Sequence, residues 1–295
     1  MIRLDNVSKR IGKFQLDQIS LEIPTGYICG LVGQNGSGKT TLLHLILGLY
    51  HPDDGSVEIA GKTYDEKRDE ILDGIGTVLT EELFDPDFTL LANADEYGRY
   101  YTNYSRERME RYLKRFDLKS DQKFGRLSKG QKLKAQFAFA LSYDPKLLIL
   151  DEPTANFDPE FREQFFEILR EYMSDGTKSV ILATHLTEDL DRLADYLIYL
   201  EDGKQIFAGD IESFREDYRI VSGEAYKIRL LPKERIVHIE ENTYGAKALV
   251  KHRRHKEYDK ELQVTYPTIE EFMYYFSKQR RVRKEIENRP LSPYI

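Results

Sequence analysis

Cysteine is nearly absent: Cys29 is the single one in 295 residues. A lone thiol excludes an internal disulfide, and with no ligating neighbours it excludes a cysteine-based metal site. Set in the apolar run 28–32, it reads as a small core residue. Long hydrophobic stretches are also missing. No window approaches the roughly 18 uninterrupted apolar residues of a membrane span, and mean hydropathy is -0.57. The opening residues, Met1-Ile2-Arg3-Leu4-Asp5-Asn6, lack the apolar centre of a secretory signal, so a cytoplasmic location is expected. An excess of positive charge is lacking as well. With a net charge of -7, no nucleic-acid partner is expected. There is no internal repeat and no low-complexity tract. What remains is a chain 40% hydrophobic and 12% aromatic, enough for one large core or two modest ones.

Apolar and polar residues alternate over 2–7, 20–23 and 57–59, which predicts a small, partly antiparallel sheet of half-exposed strands. The all-apolar runs 28–32, 147–150 and 180–183 predict strands covered on both faces, and 41–47 and 159–170 read as helices between them. The expected fold class is therefore α/β with a parallel core sheet. Residues from about 80 to 140 carry Tyr, Arg, Lys and Glu at helical spacing and read as a helical insertion. Composition changes again after about Phe214. Beyond it come short alternating segments at 226–230 and 248–250, a charged run at 251–260, and an amphipathic helix at 269–276.

Directly behind the first buried run stands Gly33-Gln34-Asn35-Gly36-Ser37-Gly38-Lys39-Thr40-Thr41. Three glycines in six positions let successive backbone N–H groups turn inward as an anion nest at a helix N-terminus. Lys39 would reach the terminal phosphates and the Thr40 hydroxyl would bind Mg²⁺, the pattern of a phosphate-binding loop. ATP and Mg²⁺ are the expected ligands. At the end of the run 147–150, Asp151 is a carboxylate that is costly to bury without a cation, and beside a phosphate loop it would help hold Mg²⁺. Glu152, next to it, is placed to polarise the attacking water.

These motifs are joined by Leu127-Ser128-Lys129-Gly130-Gln131 entering a helix, by Ala155-Asn156-Phe157-Asp158-Pro159 and by Ala183-Thr184-His185. In that order, over roughly residues 1–215, the chain resembles an ATP-binding cassette ATPase, whose usual signature L-S-G-G-Q here has Lys129 for one glycine. The resemblance implies a P-loop NTPase core with a small antiparallel β subdomain, a helical insertion, and a C-terminal α+β extension over 216–295. It implies that Ser128, Gly130 and Gln131 bind nucleotide held by a second cassette, a homodimer being favoured. It also implies that Asp158 lies between the two sites, and that His185 contacts the γ-phosphate and positions water with Glu152. Where the family has an adenine-stacking aromatic, this chain has Ile11, with Phe14 the nearest ring. Where it has a glutamine touching Mg²⁺, Thr80 and Glu81 stand.

The variant signature, the missing glutamine and the tail through 267–276 look like stand-alone cassettes of bacterial exporters of antibiotics, lantibiotics or cytolytic peptides. Such subunits drive a separately encoded permease from the inner face of the cell membrane. The aromatic stretches 83–90 and 97–104 would either receive that partner or form a satellite core. The basic clusters 251–256 and 278–284 read as a solvated face rather than a lipid-binding one. The rival reading is a cassette ATPase acting on nucleic acid or a protein assembly. A single cassette and the lack of a long coiled coil speak against it.

Overall fold

Two ten-residue strands open the chain, β1 (Ile2–Ile11) and β2 (Phe14–Ile23), joined by a tight turn that sets Ile11 opposite Phe14. The computed structural model describes residues 1–79, 81, 83–252 and 258–287, with side chains to residue 280. Thr80 and most of the basic cluster 251–256 lie outside the described residues. After β3 (Ile28–Val32) and α1 (Lys39–Ile46), β4 (Asp54–Ile59) pairs antiparallel with β1, giving the sheet order β2-β1-β4. Ile2, Leu4 and Val7 point inward from β1, and Leu16, Ile19 and Leu21 do so from β2, the alternation of a sheet with one solvated face, shifted by one residue at the irregularities around the Val7–Ile19 pair.

The next helix, α2 (Tyr64–Asp73), buries only Ile71, so it has no apolar stripe that sequence periodicity would reveal. The chain continues through β5 (Ile75–Val78), α3 (Leu90–Gly98), α4 (Arg106–Arg115), α5 (Lys129–Ser142), β6 (Leu147–Asp151), α6 (Pro159–Met173), β7 (Ser179–Ala183), α7 (Thr187–Leu193), β8 (Tyr196–Glu201) and β9 (Lys204–Asp210). The second sheet runs β5-β6-β7-β3-β8-β9. From β5 to β8 its pairs are parallel. Every residue of β3, β6 and β7 is buried, which is why these strands read as unbroken apolar runs.

Register positions the chemistry. Leu31 of β3 and Asp151 of β6 both lie opposite Ala183 of β7. The loop after β3, the carboxylates after β6 and His185 after β7 therefore emerge at one carboxyl-terminal edge, where parallel α/β sheets bind ligands. The insertion helices are fixed to α6 by rings. Phe116 stacks on Phe137 with centroids 5.8 Å apart and meets Phe161 edge-on at 5.1 Å. Phe137 also contacts Phe165 at 5.0 Å.

The chain forms two compact units, residues 1–186 with 193–208, and residues 187–192 with the described residues from 209 onward. The second unit contains α8 (Ile211–Asp217), β10 (Tyr218–Gly223), α9 (Ala225–Arg229), β11 (Ile236–Asn242), β12 (Gly245–Lys251), β13 (Gln263–Thr265) and α10 (Ile269–Glu287). Its antiparallel sheet has the order β11-β12-β10-β13. Segment 226–230 departs from the expected alternation, because 225–229 is helical. Ile228 is fully buried while Tyr226 and Leu230, four residues apart, are 57% and 79% exposed, a helical spacing that a period-2 reading of three apolar residues mistakes for a strand. The last helix runs well beyond 276, since Lys, Gln, Arg and Glu after it continue a helix readily. Lys278, in its second basic cluster, pairs with Glu240 at 3.9 Å and lies over the Tyr274 ring.

Candidate active site

At two of the three glycines in the loop after β3, neighbours leave no room for a Cβ atom. A Cβ on Gly33 would lie 2.4 Å from the Leu200 carbonyl oxygen, and one on Gly38 would lie 2.8 Å from Leu16 Cδ1. Gly38 also has a φ of 109°, a left-handed conformation that caps α1. Gln34, Asn35 and Gly36 form the exposed crest of the loop, and Thr40 is exposed in the first turn of α1 with Thr41 half-buried behind it. Ser37 is 3% exposed, and its Oγ has no hydrogen-bond partner among the described residues. A buried hydroxyl left unpaired within an anion nest fits a phosphate oxygen as its partner.

Lys39 is buried at 8% exposure, and its Nζ donates to the Gly33 carbonyl at 2.8 Å. Burial lowers its pKa, while the charges of Glu152 and Asp151 oppose that. Asp151 is 6% exposed, and its pKa is raised by burial and by Glu152, with Lys39 and His44 acting the other way. A buried carboxylate short of positive charge beside an exposed Thr40 hydroxyl is a donor set that suits Mg²⁺, which takes few protein oxygens and keeps water or phosphate oxygens for the rest. Among the described residues no cluster of three or more His, Cys, Asp or Glu would hold a metal by itself.

Glu152 has φ 51° and ψ 41°, an uncommon backbone for a non-glycine residue. Its N–H donates to the Ala183 carbonyl at 2.8 Å, which aims the side chain toward the end of β7. There Oε2 lies 2.6 Å from His185 Nδ1 and accepts from the His185 backbone N–H at 3.3 Å. The carboxylate orients the imidazole and leaves its other nitrogen for a ligand. A cleft of about 490 Å³ joins the loop, Asp151 and Glu152 to Ile11 and Phe14 at the β1–β2 turn. Both residues left open as base contacts thus face the cleft.

Ser128, Gly130, Gln131 and Asp158 do not line this cleft. Ser128 and Gln131 form a capping box on α5, with Gln131 N–H to Ser128 Oγ at 3.3 Å and Ser128 N–H to Gln131 Oε1 at 3.0 Å. Asp158 caps α6 through the Phe161 N–H at 2.8 Å and pairs with Lys134 at 3.3 Å, contacts that hold its carboxyl below the usual range. A Cβ on Gly130 would stand 2.5 Å from the Asn156 carbonyl oxygen. Glycine-to-alanine in a helix ordinarily stabilises by about 1 kcal/mol. Here the close approach reverses the sign, and Gly130→Ala is expected to lower stability by roughly 1–2 kcal/mol. A rise in the urea midpoint would contradict this packing.

The aromatic insertion divides into core and rim. Phe84 is buried, stacked on Tyr97 at 5.8 Å and edge-on to Phe139 at 5.4 Å, and Tyr101 stacks on Tyr143 at 3.8 Å. Tyr100, 78% exposed, and Leu83 stand at the mouth of a groove of about 360 Å³ floored by these rings and by Gln136. Sequence reasoning missed Gln136, Phe139 and Tyr143. The available signal was a glutamine interrupting the apolar run 135–141 of α5.

The sequence profile of a family described as ABC transporter matches residues 16–155. "Nod factor export ATP-binding protein I" of Burkholderia lata is 36% identical over 211 residues, 69% of each chain. A solved structure described as a dimeric post-hydrolysis state of the ATP-binding cassette MJ0796 bound to ADP and Pi is 28% identical. It superposes with a TM-score of 0.64 over 72% of this chain and 99% of that one. The structure of cbiO1 from Clostridium perfringens, described as part of the ABC transporter complex cbiONQ, is 25% identical. Its TM-score is 0.60, over 72% of this chain and 89% of that one.

Proposed function

The chain belongs to the ABC transporter family as an ATP-binding cassette, and from that premise we propose that it pairs with a second cassette, hydrolyses ATP with Mg²⁺ and drives a separate membrane permease. The observation that carries the chemistry is the Glu152–His185 contact of 2.6 Å, set at the same sheet edge as Lys39 and Asp151. In this reading Lys39 and the loop N–H groups bind the β- and γ-phosphates. Thr40 and Asp151 would hold magnesium, which would supply charge neutralisation on the phosphates. Glu152 takes the proton of the attacking water and His185 orients it.

Ser128 and Gly130 lie away from their own chain's cleft, which supports their serving the partner cassette. The dimeric MJ0796 structure supports the same arrangement. Among the described residues no helix is long and apolar enough to cross a membrane, and the membrane-spanning part belongs to the proposed permease. Export is favoured by relatives named for Nod factor export, and a peptide or antibiotic cargo rests on the sequence resemblance alone.

The permease contact is assigned to the rim of the aromatic groove. Tyr101 is committed to the Tyr143 stack, so the variant to make is Tyr97→Ala with Tyr100→Ala, which removes the exposed Tyr100 ring and the Tyr97 ring that covers Phe84 and leaves the nucleotide cleft intact. Co-expressed with a six-span protein from a neighbouring reading frame, the variant should lose most of its flotation with membranes. A few interface aromatics commonly carry over 2 kcal/mol each, and ATP affinity should be unchanged. Unchanged flotation of the folded variant would reject this surface.

A further inference from the structure

Gln136 is buried in a way that stability does not explain. It lies on α5 at 3% exposure, followed by Phe137 and Ala138, and its Oε1 has no hydrogen-bond partner among the described residues. Its Nε2 donates to the backbone carbonyl of Glu81 at 3.2 Å. That one bond also settles the amide's orientation, since a flip would set carbonyl against carbonyl. An amide half-satisfied among rings is worse for folding than an apolar side chain of the same length, and such groups in native structures call for another reason.

The reason lies in what Glu81 adjoins. β5 pairs with β6 in the register Val78 to Leu150, so the chain leaving β5 runs beside Asp151, the next residue of β6. On its other side Gln136 forms part of the floor of the aromatic groove with Phe139 and Tyr143. Its helix begins at the Ser128 capping box. One amide therefore connects α5, the groove and the segment that borders the nucleotide site.

We propose that Gln136 is a positioning residue that holds the backbone at Glu81 in place beside Asp151 and passes displacement of α5, or occupancy of the groove, to the hydrolytic site. This rests on the ATPase reading above and adds its regulation. The coupling is reciprocal for binding: whatever the groove does to nucleotide affinity, nucleotide does to affinity at the groove.

Gln136→Leu and Gln136→Met remove the donor and the orphaned oxygen while keeping volume. In the nucleotide-free protein both should unfold at the wild-type temperature or higher, because the unpaired carbonyl is gone. Binding of a fluorescent ATP analogue without magnesium should stay within about twofold, while turnover at saturating ATP falls about fivefold or more and needs more Mg²⁺ for half-saturation. Phe137→Leu, a core change on the same helix with no bond to Glu81, should do the reverse, lowering the unfolding temperature and sparing turnover. A fall in stability that tracks the loss of turnover, failure of both Gln136 variants to fold, or unchanged turnover and magnesium dependence would each overturn the positioning role. Wild-type protein in the same assay tests the ATPase reading separately: no turnover there sinks that reading, whereas wild-type turnover matched by both variants sinks only the role of Gln136.

Discussion

Glu152→Gln is expected to reduce ATP turnover by at least about a hundredfold, the scale of a lost general base, while ATP still binds and a nucleotide-bound dimer accumulates. The substitution keeps side-chain size and leaves an oxygen to accept the His185 contacts at 2.6 and 3.3 Å. It also keeps the left-handed backbone, whose position is set by the N–H bond to Ala183 rather than by the side chain. What is lost is the carboxylate proposed to take a proton from water. Steady-state phosphate release and sedimentation with ATP report the two halves of this expectation. Turnover near wild type would remove Glu152 from the catalytic role, and failure to dimerise with ATP would remove the split site.

Lys39→Ala should fail one step earlier, at binding. The ammonium is held 2.8 Å from the Gly33 carbonyl inside the loop and, of the two cations that lower the Asp151 pKa, acts the more strongly. Deleting it removes a charge-assisted hydrogen bond to phosphate of about 1.5–3 kcal/mol, which corresponds to a tenfold or greater loss of nucleotide affinity. It also moves the Asp151 pKa further up, because one of the two groups lowering it is gone. The measurement is thermal unfolding with and without ATP. At ligand concentrations near 100 times Kd a bound nucleotide adds about 2.7 kcal/mol to stability. Wild type should show that rise, and Lys39→Ala about half of it or less at the same concentration. An equal ATP-induced shift in both proteins would separate Lys39 from the phosphate site. The two variants therefore fail differently, with Glu152→Gln binding without turning over and Lys39→Ala binding at least tenfold more weakly.

Much of the site was legible because its signals are local. The phosphate-binding loop is one contiguous stretch between a buried strand and a helix, and its backbone geometry needs glycine at fixed offsets, so residue identity alone reports it. Asp151 announced itself as a charge at the end of an apolar run. The fully buried strands β3, β6 and β7 were readable for the same reason, since a strand covered on both faces must be apolar throughout. Less was readable where burial is slight. The helix α2 buries one residue, and α9 is a single short turn whose three apolar residues also fit a strand.

Sequence by itself determined the α/β class, the order of the core strands and helices, and the candidate residues for phosphate binding and water activation, because each depends on neighbours along the chain. Tertiary structure decided which of those residues meet. Glu152 and His185, 33 positions apart, come to 2.6 Å through the parallel register of β6 with β7. Ile11 and Phe14 reach the phosphate cleft through the β1–β2 turn, and Gln136 finds the Glu81 carbonyl 55 positions away. The aromatic stretch shows the limit most plainly. Tyr100 and Tyr101 are adjacent and chemically alike, yet one is 78% exposed and the other stacks on Tyr143. Which ring faces solvent depends on the helix lying behind it, and no pattern along the chain carries that information.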